Sequence, residues 1–389
     1  MKKKIAMLMT MMFVLGTFSI NAFASENDVQ DSYDIIIEEI KGCPEENSGM
    51  YFKDNVLHII PTEGMQESLD GKIRTAKRSK IEYVIDEPAR YSAADLQEAF
   101  ATLREQRDNL NITGYAINYE NNQINIMAPE WTDAEKENIK DLLNIENIEF
   151  ISEGYDVKFD VYDDTDIEEN SGATESRAKT EAKIGFKMMV NDNADVNYTI
   201  GRAVEDRSGN VYYLTAGHGL VTKDKMEIIA TEDPIGSNNY VLGFIGNVSS
   251  VKVGGNVDAA LVKDEGSFLP STKTRTGKNI TRDGNAQEGV IGTVWTYGGP
   301  VLVLVKSEAI ELKWDGQWFN DLIEMSYGTT DRTDRGDSGS CISTMYNEDY
   351  SDQRYVGIYK GRKELSNGTV LIYGINRTSI EDAFNVSSY

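Results

Sequence analysis

The sequence predicts a small α/β module followed by an all-β domain. Three observations carry this. Apolar residues at helical spacing flank an alternating hairpin between residues 81 and 155. An acidic stretch with no apolar period covers 156–181. From 182 to 389, short apolar runs recur between Gly, Asn and Asp turns, the mark of a sandwich or barrel.

Residues 1–24 carry three lysines, a short apolar run and Ala22-Phe23-Ala24, and read as a secretory signal peptide with the mature chain beginning near Ser25. No later run reaches the ~20 apolar residues of a membrane span, so the expected product is exported and soluble. Residues 25–80 are poorly patterned and form the N-terminal part of the region before the all-β domain, either within the fold of the 81–155 module or as a tail to it.

In "YSAADLQEAFATLREQ", Ser92 precedes Leu96, Phe100 and Leu103 at helical spacing. "ITGYAINYENNQINIMAPE" alternates on both sides of a Glu-Asn-Asn-Gln turn and predicts a β-hairpin. "WTDAEKENIKDLL" is a second helix capped by Thr132, and "IEFISEG" closes the module as a strand. The stretch 156–181 predicts an exposed linker of the kind proteases cut, the other reading being an acidic surface loop within one domain. Beyond it come "KIGFKMMV", "NYTIGRAVE", "VYYLTAG", "YVLGFIGNV", "VDAALVK", "GVIGTVWTY", "VLVLVKSEAIEL", "YVGIYKG" and "VLIYGIN" as strands, with only "TSIEDAFNV" helical.

Composition narrows function. A net charge of −25 disfavours nucleic acid and anionic membranes as partners, since both would repel the chain. Two cysteines, Cys43 and Cys341, make no disulfide framework, and Cys341 reads as a small buried hydrophobe. With only His58 and His218 as imidazoles and no His-Glu-x-x-His, a metallohydrolase is disfavoured, and neither metal nor cofactor is expected. His58, in the apolar run "NVLHIIP", is expected to be structural.

A lone histidine such as His218 in "YYLTAGHGL" is ordinarily structural too. Two other stretches change that reading. Asp258 in "NVDAALVK" is an acid at the start of an apolar strand, where burial demands a cationic or N–H partner. Ser338 in "DRGDSGSCI" lies between Gly336 and Gly339, where backbone approaches a ligand without Cβ interference. A serine nucleophile needs a base, and the base needs a carboxylate to orient it. His218, Asp258 and Ser338 are candidates for those roles.

The motifs "LTAGH", "DAALV" and "GDSGS", in this order, resemble the three signatures of chymotrypsin-like serine proteases, and more closely the bacterial streptogrisin and α-lytic branch. The resemblance spans about 81–389. It implies two antiparallel β-barrels with a short C-terminal helix, the protease domain at 182–389, and a pro-domain at 81–155 that assists folding and then inhibits. It also implies an oxyanion hole from the N–H groups of Gly336 and Ser338, and an Asp337–Arg282 pair holding that loop. The primary pocket would draw on Arg332, Thr333, Tyr359, Lys360, Gly361 and Arg362, whose cations and hydroxyls would favour cleavage after Glu or Asp; the other reading turns these cations to solvent around a small apolar pocket.

Gly219 and Ser340 depart from the family, which commonly has a cysteine and a glycine there. The function expected is a secreted, monomeric serine endopeptidase made as a zymogen, acting on polypeptides and held by its own pro-region. The alternatives are a precursor permanently blocked by its module and a secreted binding protein on a protease scaffold.

Overall fold

The computed structural model describes residues 26–54, 56–76, 82–152, 157–158, 181–190, 193–220, 227–232, 241–266, 268–314, 316–328, 332–333, 336–345, 353–364 and 369–389. The signal-peptide reading, and nearly all of the 156–181 linker, lie outside them.

The C-terminal half is closed by hydrogen bonding. Strands Ile291–Thr296, Cys341–Met345, Arg354–Glu364, Val370–Asn376, Gln317–Tyr327 and Gly299–Trp314 succeed one another antiparallel, and the last pairs back onto the first. This six-stranded barrel has no free edge along that ring. Its interior is filled by β-branched and aromatic side chains, among them Val294, Val305, Ile323, Ile342, Tyr359 and Ile372.

The preceding barrel runs, in sheet order, Lys187–Val190, Glu227–Glu232, Val241–Gly254, Val257–Asp264, Val211–Thr215 and Arg202–Asp206. Strand Asn193–Thr199 pairs with Lys187–Val190 and continues through Ile200 and Gly201 into Arg202–Asp206, so the chain itself joins the two ends of the sheet. Backbone bonds from Gly185 N to Ile200 O (2.9 Å) and Ile200 N to Phe186 O (2.8 Å) tighten the seam. Phe186, Tyr198, Tyr213, Ile245 and Val262 form its core. A separate cluster, including Leu214, Ala259, Leu261, Trp314, Phe319, Ile358 and Tyr373, packs the two barrels together. The C-terminal helix Arg377–Phe384 is succeeded by Val386–Ser388, which pairs with Arg202–Asp206.

The α/β module is built as its sequence implies. Helices Ala93–Gln106 and Asp133–Leu143 start with capping boxes, Ser92 with Asp95 and Thr132 with Glu135. The hairpin Gly114–Asn118/Gln123–Ala128 and strand Ile148–Ser152 form a short sheet over a core of Leu96, Leu103, Tyr115, Ile126 and Ile139. That sheet extends the second barrel, because Gly114–Asn118 pairs antiparallel with Ile310–Leu312.

The described residues within 25–80 carry more regular structure than their weak patterning implies. Helices Glu26–Lys41 and Gln66–Ala76 cover the hairpin Asn47–Lys53/Val56–Pro61. Strand Tyr83–Ile85 pairs in parallel with Leu57–Ile59, so this unit extends past residue 80. Within it His58 Nδ1 bonds Asp86 (3.0 Å) and the ring stacks on Tyr51, a structural setting.

Two barrel carboxylates receive the N-terminal units. Glu311, fully buried, accepts from Arg104, Arg107 and the Tyr115 hydroxyl of the module. Glu288 accepts the backbone N–H groups of Tyr119 (3.2 Å) and Glu120 (3.4 Å), while its own carbonyl accepts Phe52 N (2.7 Å). Burial pushes the Glu288 carboxyl up to about 8, the N–H bonds opposing it and Glu308 adding to it.

Both carboxylates make testable demands on the intact chain. Glu311→Ala removes the acceptor shared by Arg104, Arg107 and the buried Tyr115 hydroxyl, while Arg104 keeps Asp321, and weakens docking of the module by about 1–3 kcal/mol, which faster hydrogen exchange at 114–118 would report. A carboxyl raised in the folded state stabilises fully below its unfolded value and loses that contribution as pH rises through the folded one. Glu288 should therefore make the chain lose stability between pH 4.5 and about 8, and Glu288→Gln should flatten that slope in thermal melts.

Candidate active site

The site assembles where the first barrel's His218 loop meets the second barrel's Ser338 loop. His218 lies just beyond strand Val211–Thr215, which pairs with Val257–Asp264 so that Thr215 faces Ala260. Gly217 lets the loop close on that strand, since a Cβ there would lie 2.7 Å from the Ala259 carbonyl and 2.9 Å from its nitrogen. Asp258 is thereby brought under the loop. Its Oδ1 accepts Gly217 N (3.0 Å) and His218 N (2.8 Å), and its Oδ2 lies 2.9 Å from His218 Nδ1.

A fully buried carboxylate needs such donors, because an unsatisfied buried charge costs several kcal/mol. Burial by itself would raise the Asp258 carboxyl, but the Lys360 ammonium and His218 outweigh it and hold the group well below the usual carboxylate range. Ionised, Asp258 can only accept, so His218 carries a proton on Nδ1 and presents Nε2 for chemistry.

Gly219 has a steric reason of its own. A Cβ at 219 would sit 1.5 Å from the Tyr198 hydroxyl, so the phenol fills the space beside the histidine where a cysteine would otherwise be.

Ser338 is buried in a turn that only glycines permit. Gly336 has φ +86° and Gly339 φ +91°, and a Cβ on Gly339 would meet Thr215 Oγ1 at 2.3 Å. The first barrel grips this turn: Thr199 Oγ1 donates to Gly336 O (2.8 Å), Thr199 N donates to Ser338 O (3.1 Å), and Thr215 Oγ1 donates to Thr199 O (2.9 Å). From the other side Gly339 N donates to Tyr359 O (2.8 Å). The Ser338 hydroxyl donates to the Lys360 carbonyl (3.3 Å).

Lys360 corrects the sequence-based expectation. Placed there in a specificity pocket, its side chain instead runs inward, fully buried, and its ammonium bonds Asp258 Oδ2 between the faces of Phe319 and Trp314. A pairing partner this strong, with two ring faces, outcompetes an open pocket for the cation. The signal was present as a long cation inside "YVGIYKG", part of a strand whose first eight residues are all buried, but strand pattern does not say where a lysine tip points.

Other pocket candidates do gather. Thr333 Oγ1 bonds the hydroxyls of Tyr327 (2.6 Å) and Tyr359 (3.0 Å), and Arg362 donates to the Thr333 carbonyl. Arg332 is exposed, its guanidinium over the Tyr327 ring. Gly361 is tight against Trp314, whose ring would lie 2.8 Å from a Cβ. Arg282 lies opposite Arg354 at the start of strand Arg354–Glu364. Cys341 and Cys43 are both free, and burial pushes the Cys341 thiol up to about 12.

Among the described residues no group of His, Cys, Asp and Glu is arranged to hold a metal ion, and no helix is long and apolar enough to cross a membrane. No protein-family model matches the chain, and no curated protein matches it. Solved structures similar to it include a chymotrypsin from Cellulomonas bogoriensis, 14% identical, covering 54% of this chain and 98% of that one at a TM-score of 0.40. A Nocardiopsis protease is 15% identical, with 54% and 99% covered and a TM-score of 0.40. A serine protease described as glutamic acid specific is 15% identical, with 53% and 99% covered, also at 0.40. At such scores the likeness adds nothing to the functional reading, which rests on the site itself.

The Gly219 contact generates a direct test. Gly219→Ala should cost about 1–3 kcal/mol through overpacking, read as a lower melting temperature, and Tyr198→Ala in the same chain should recover part of that loss by vacating the space.

Proposed function

We propose that the chain is a chymotrypsin-like serine endopeptidase, exported as a precursor. The observation that carries this is the pairing of His218 Nδ1 with the fully buried Asp258, with Ser338 held in a glycine-framed turn against the same Lys360 that binds Asp258.

The geometry supports this sequence of steps. On substrate binding the Ser338 hydroxyl leaves the Lys360 carbonyl and donates to His218 Nε2. Ser338 attacks the scissile carbonyl carbon while His218 takes its proton, and Asp258 keeps the imidazole in the Nδ1–H tautomer and stabilises the imidazolium. Negative charge grows on the carbonyl oxygen, and the N–H groups of Gly336 and Ser338 receive it. The bonds of Thr199 to the Gly336 and Ser338 carbonyls hold the 336–337 and 338–339 peptides on either side of the Ser338 N–H, and so support that role by restraining the turn. His218 then protonates the leaving amine, and water, activated by the same imidazole, hydrolyses the acyl-enzyme on Ser338. We retain Arg282 as the proposed cationic partner of Asp337.

Cleavage after Glu or Asp is the proposed preference, now resting on Arg362 beside Thr333 rather than on Lys360. The proposed inhibition by the N-terminal module draws support from strand Val157–Lys158, which pairs antiparallel with Lys363 and Arg362, so chain leaving the module lies along the strand that carries Lys360. Acidic residues at which such an enzyme could release itself are Glu175 and Glu181; Glu181 is pinned by Lys273 (3.1 Å) in a strand paired with Leu269–Pro270, which favours a cut upstream of it.

The test is to express the full chain beside Ser338→Ala and read the mass and N-terminus of each product. The reading predicts that the first shortens to a start at residue 176, after Glu175, while the second stays whole. Identical shortening of both would assign the cut to another protease.

A further inference from the structure

The proposed triad needs a donor set for Asp258, and three donors from the His218 loop already supply it: Gly217 N, His218 N and His218 Nδ1. The fourth donor, Lys360, is a full positive charge from the other barrel. We propose that Lys360 is a positioning residue that sets the acid limit of the enzyme's activity, holding Asp258 in place while its ammonium opposes protonation of His218. The inference rests on the proposed serine-protease activity.

Geometry carries the argument. The Lys360 and Asp258 side chains are both fully buried, and the ammonium has Asp258 Oδ2, the Phe319 ring (3.7 Å to its centre) and the Trp314 ring (4.9 Å) about it. His218 Nδ1 shares that same Oδ2. One carboxylate oxygen thus stands between two groups that would both be cations if His218 were protonated. In a dry site the repulsion between them is little screened, so protonating the imidazole is harder than beside an unshared carboxylate.

Among the described residues, the titratable groups facing Asp258 are His218 from its loop, Lys360 from strand Arg354–Glu364, and Tyr198 from strand Asn193–Thr199. Burial, and then the Asp258 charge, keeps the Tyr198 phenol above its ordinary value, so it stays neutral through the working range. Burial pulls the Lys360 ammonium below the usual lysine value, with Asp258 partly restoring it. The strand beside Asp258 presents Val253 opposite it, and the described part of the hairpin beside Lys360 presents the Trp314 and Phe319 rings.

The experiment measures the rate at which a serine-directed fluorophosphonate labels Ser338 as a function of pH, in the full chain and in Lys360→Met, Lys360→Gln and Lys360→Arg, with melting temperatures alongside. The proposal expects the acid limb of labelling to move up by about one pH unit or more in the Met and Gln chains, the scale of a charge 4–6 Å away, and to return to its original place in the Arg chain. A loss of rate by the same factor at every pH, with the acid limb unmoved in folded Met or Gln chains, overturns it and leaves a purely structural ion pair.

If neither neutral variant folds, NMR of the Lys360 ammonium in the unaltered chain decides. It must be charged and shift in step with protonation of His218, and a signal indifferent to that titration overturns the proposal. Absence of any Ser338 labelling in the unaltered chain would instead sink the protease reading, while leaving the NMR readout of the Lys360–His218 coupling intact.

Discussion

Everything at the centre of this molecule depends on one buried carboxylate. Asp258 has no contact with solvent, and the cost of ionising it there is offset only by donors arriving from two directions. The His218 loop supplies three N–H groups from the first barrel, and Lys360 supplies an ammonium from the second. Removing the carboxylate would leave Lys360 buried beside two aromatic rings without a counter-charge and the histidine without a fixed tautomer. The ion pair is therefore also a joint: it ties the strand that carries Asp258 to the strand whose Lys360 carbonyl receives the Ser338 hydroxyl.

The same logic recurs where the N-terminal units dock. Glu311 is a buried carboxylate of the second barrel whose cations come from another part of the chain, Arg104 and Arg107. Glu288 is a buried carboxylate whose donors are backbone N–H groups of the module's hairpin. Docking of the module thus satisfies the Glu311 charge and the buried Glu288 carboxyl, which the barrel alone would leave to water. The sheet of the module, continued from strand Gly299–Trp314, adds directional hydrogen bonds to those electrostatic contacts.

Much of this was legible in the sequence, for identifiable reasons. Capping residues and helical spacing placed Ala93–Gln106 and Asp133–Leu143, and alternation placed the hairpin at 114–128, because both signals are local. His218 and Asp258 were marked by residue types that are costly in apolar strands unless partnered, and Ser338 by the glycines its turn requires. What was missed is non-local. Strand Gln317–Tyr327 carries Asp321 and Glu324 inside an irregular burial pattern, with register shifts at Ser307 and Ile310 in its neighbour, so no clean period survives. The units within 25–80 combine short elements whose cores close only against one another and Val290. Lys360 was read as a pocket cation because sequence shows its charge and not its direction. Tyr198 left no trace beyond a glycine at 219.

The most direct test of the central claim is to identify the residue modified by a serine-directed fluorophosphonate, by intact mass and peptide mapping, in the unaltered chain and in Asp258→Asn. The account predicts one adduct per chain, on Ser338, with labelling slowed at least ~1000-fold in the Asn chain, where the imidazole loses its fixed tautomer. Labelling of Ser338 at equal rates in both chains, or adducts on other serines only, would contradict it.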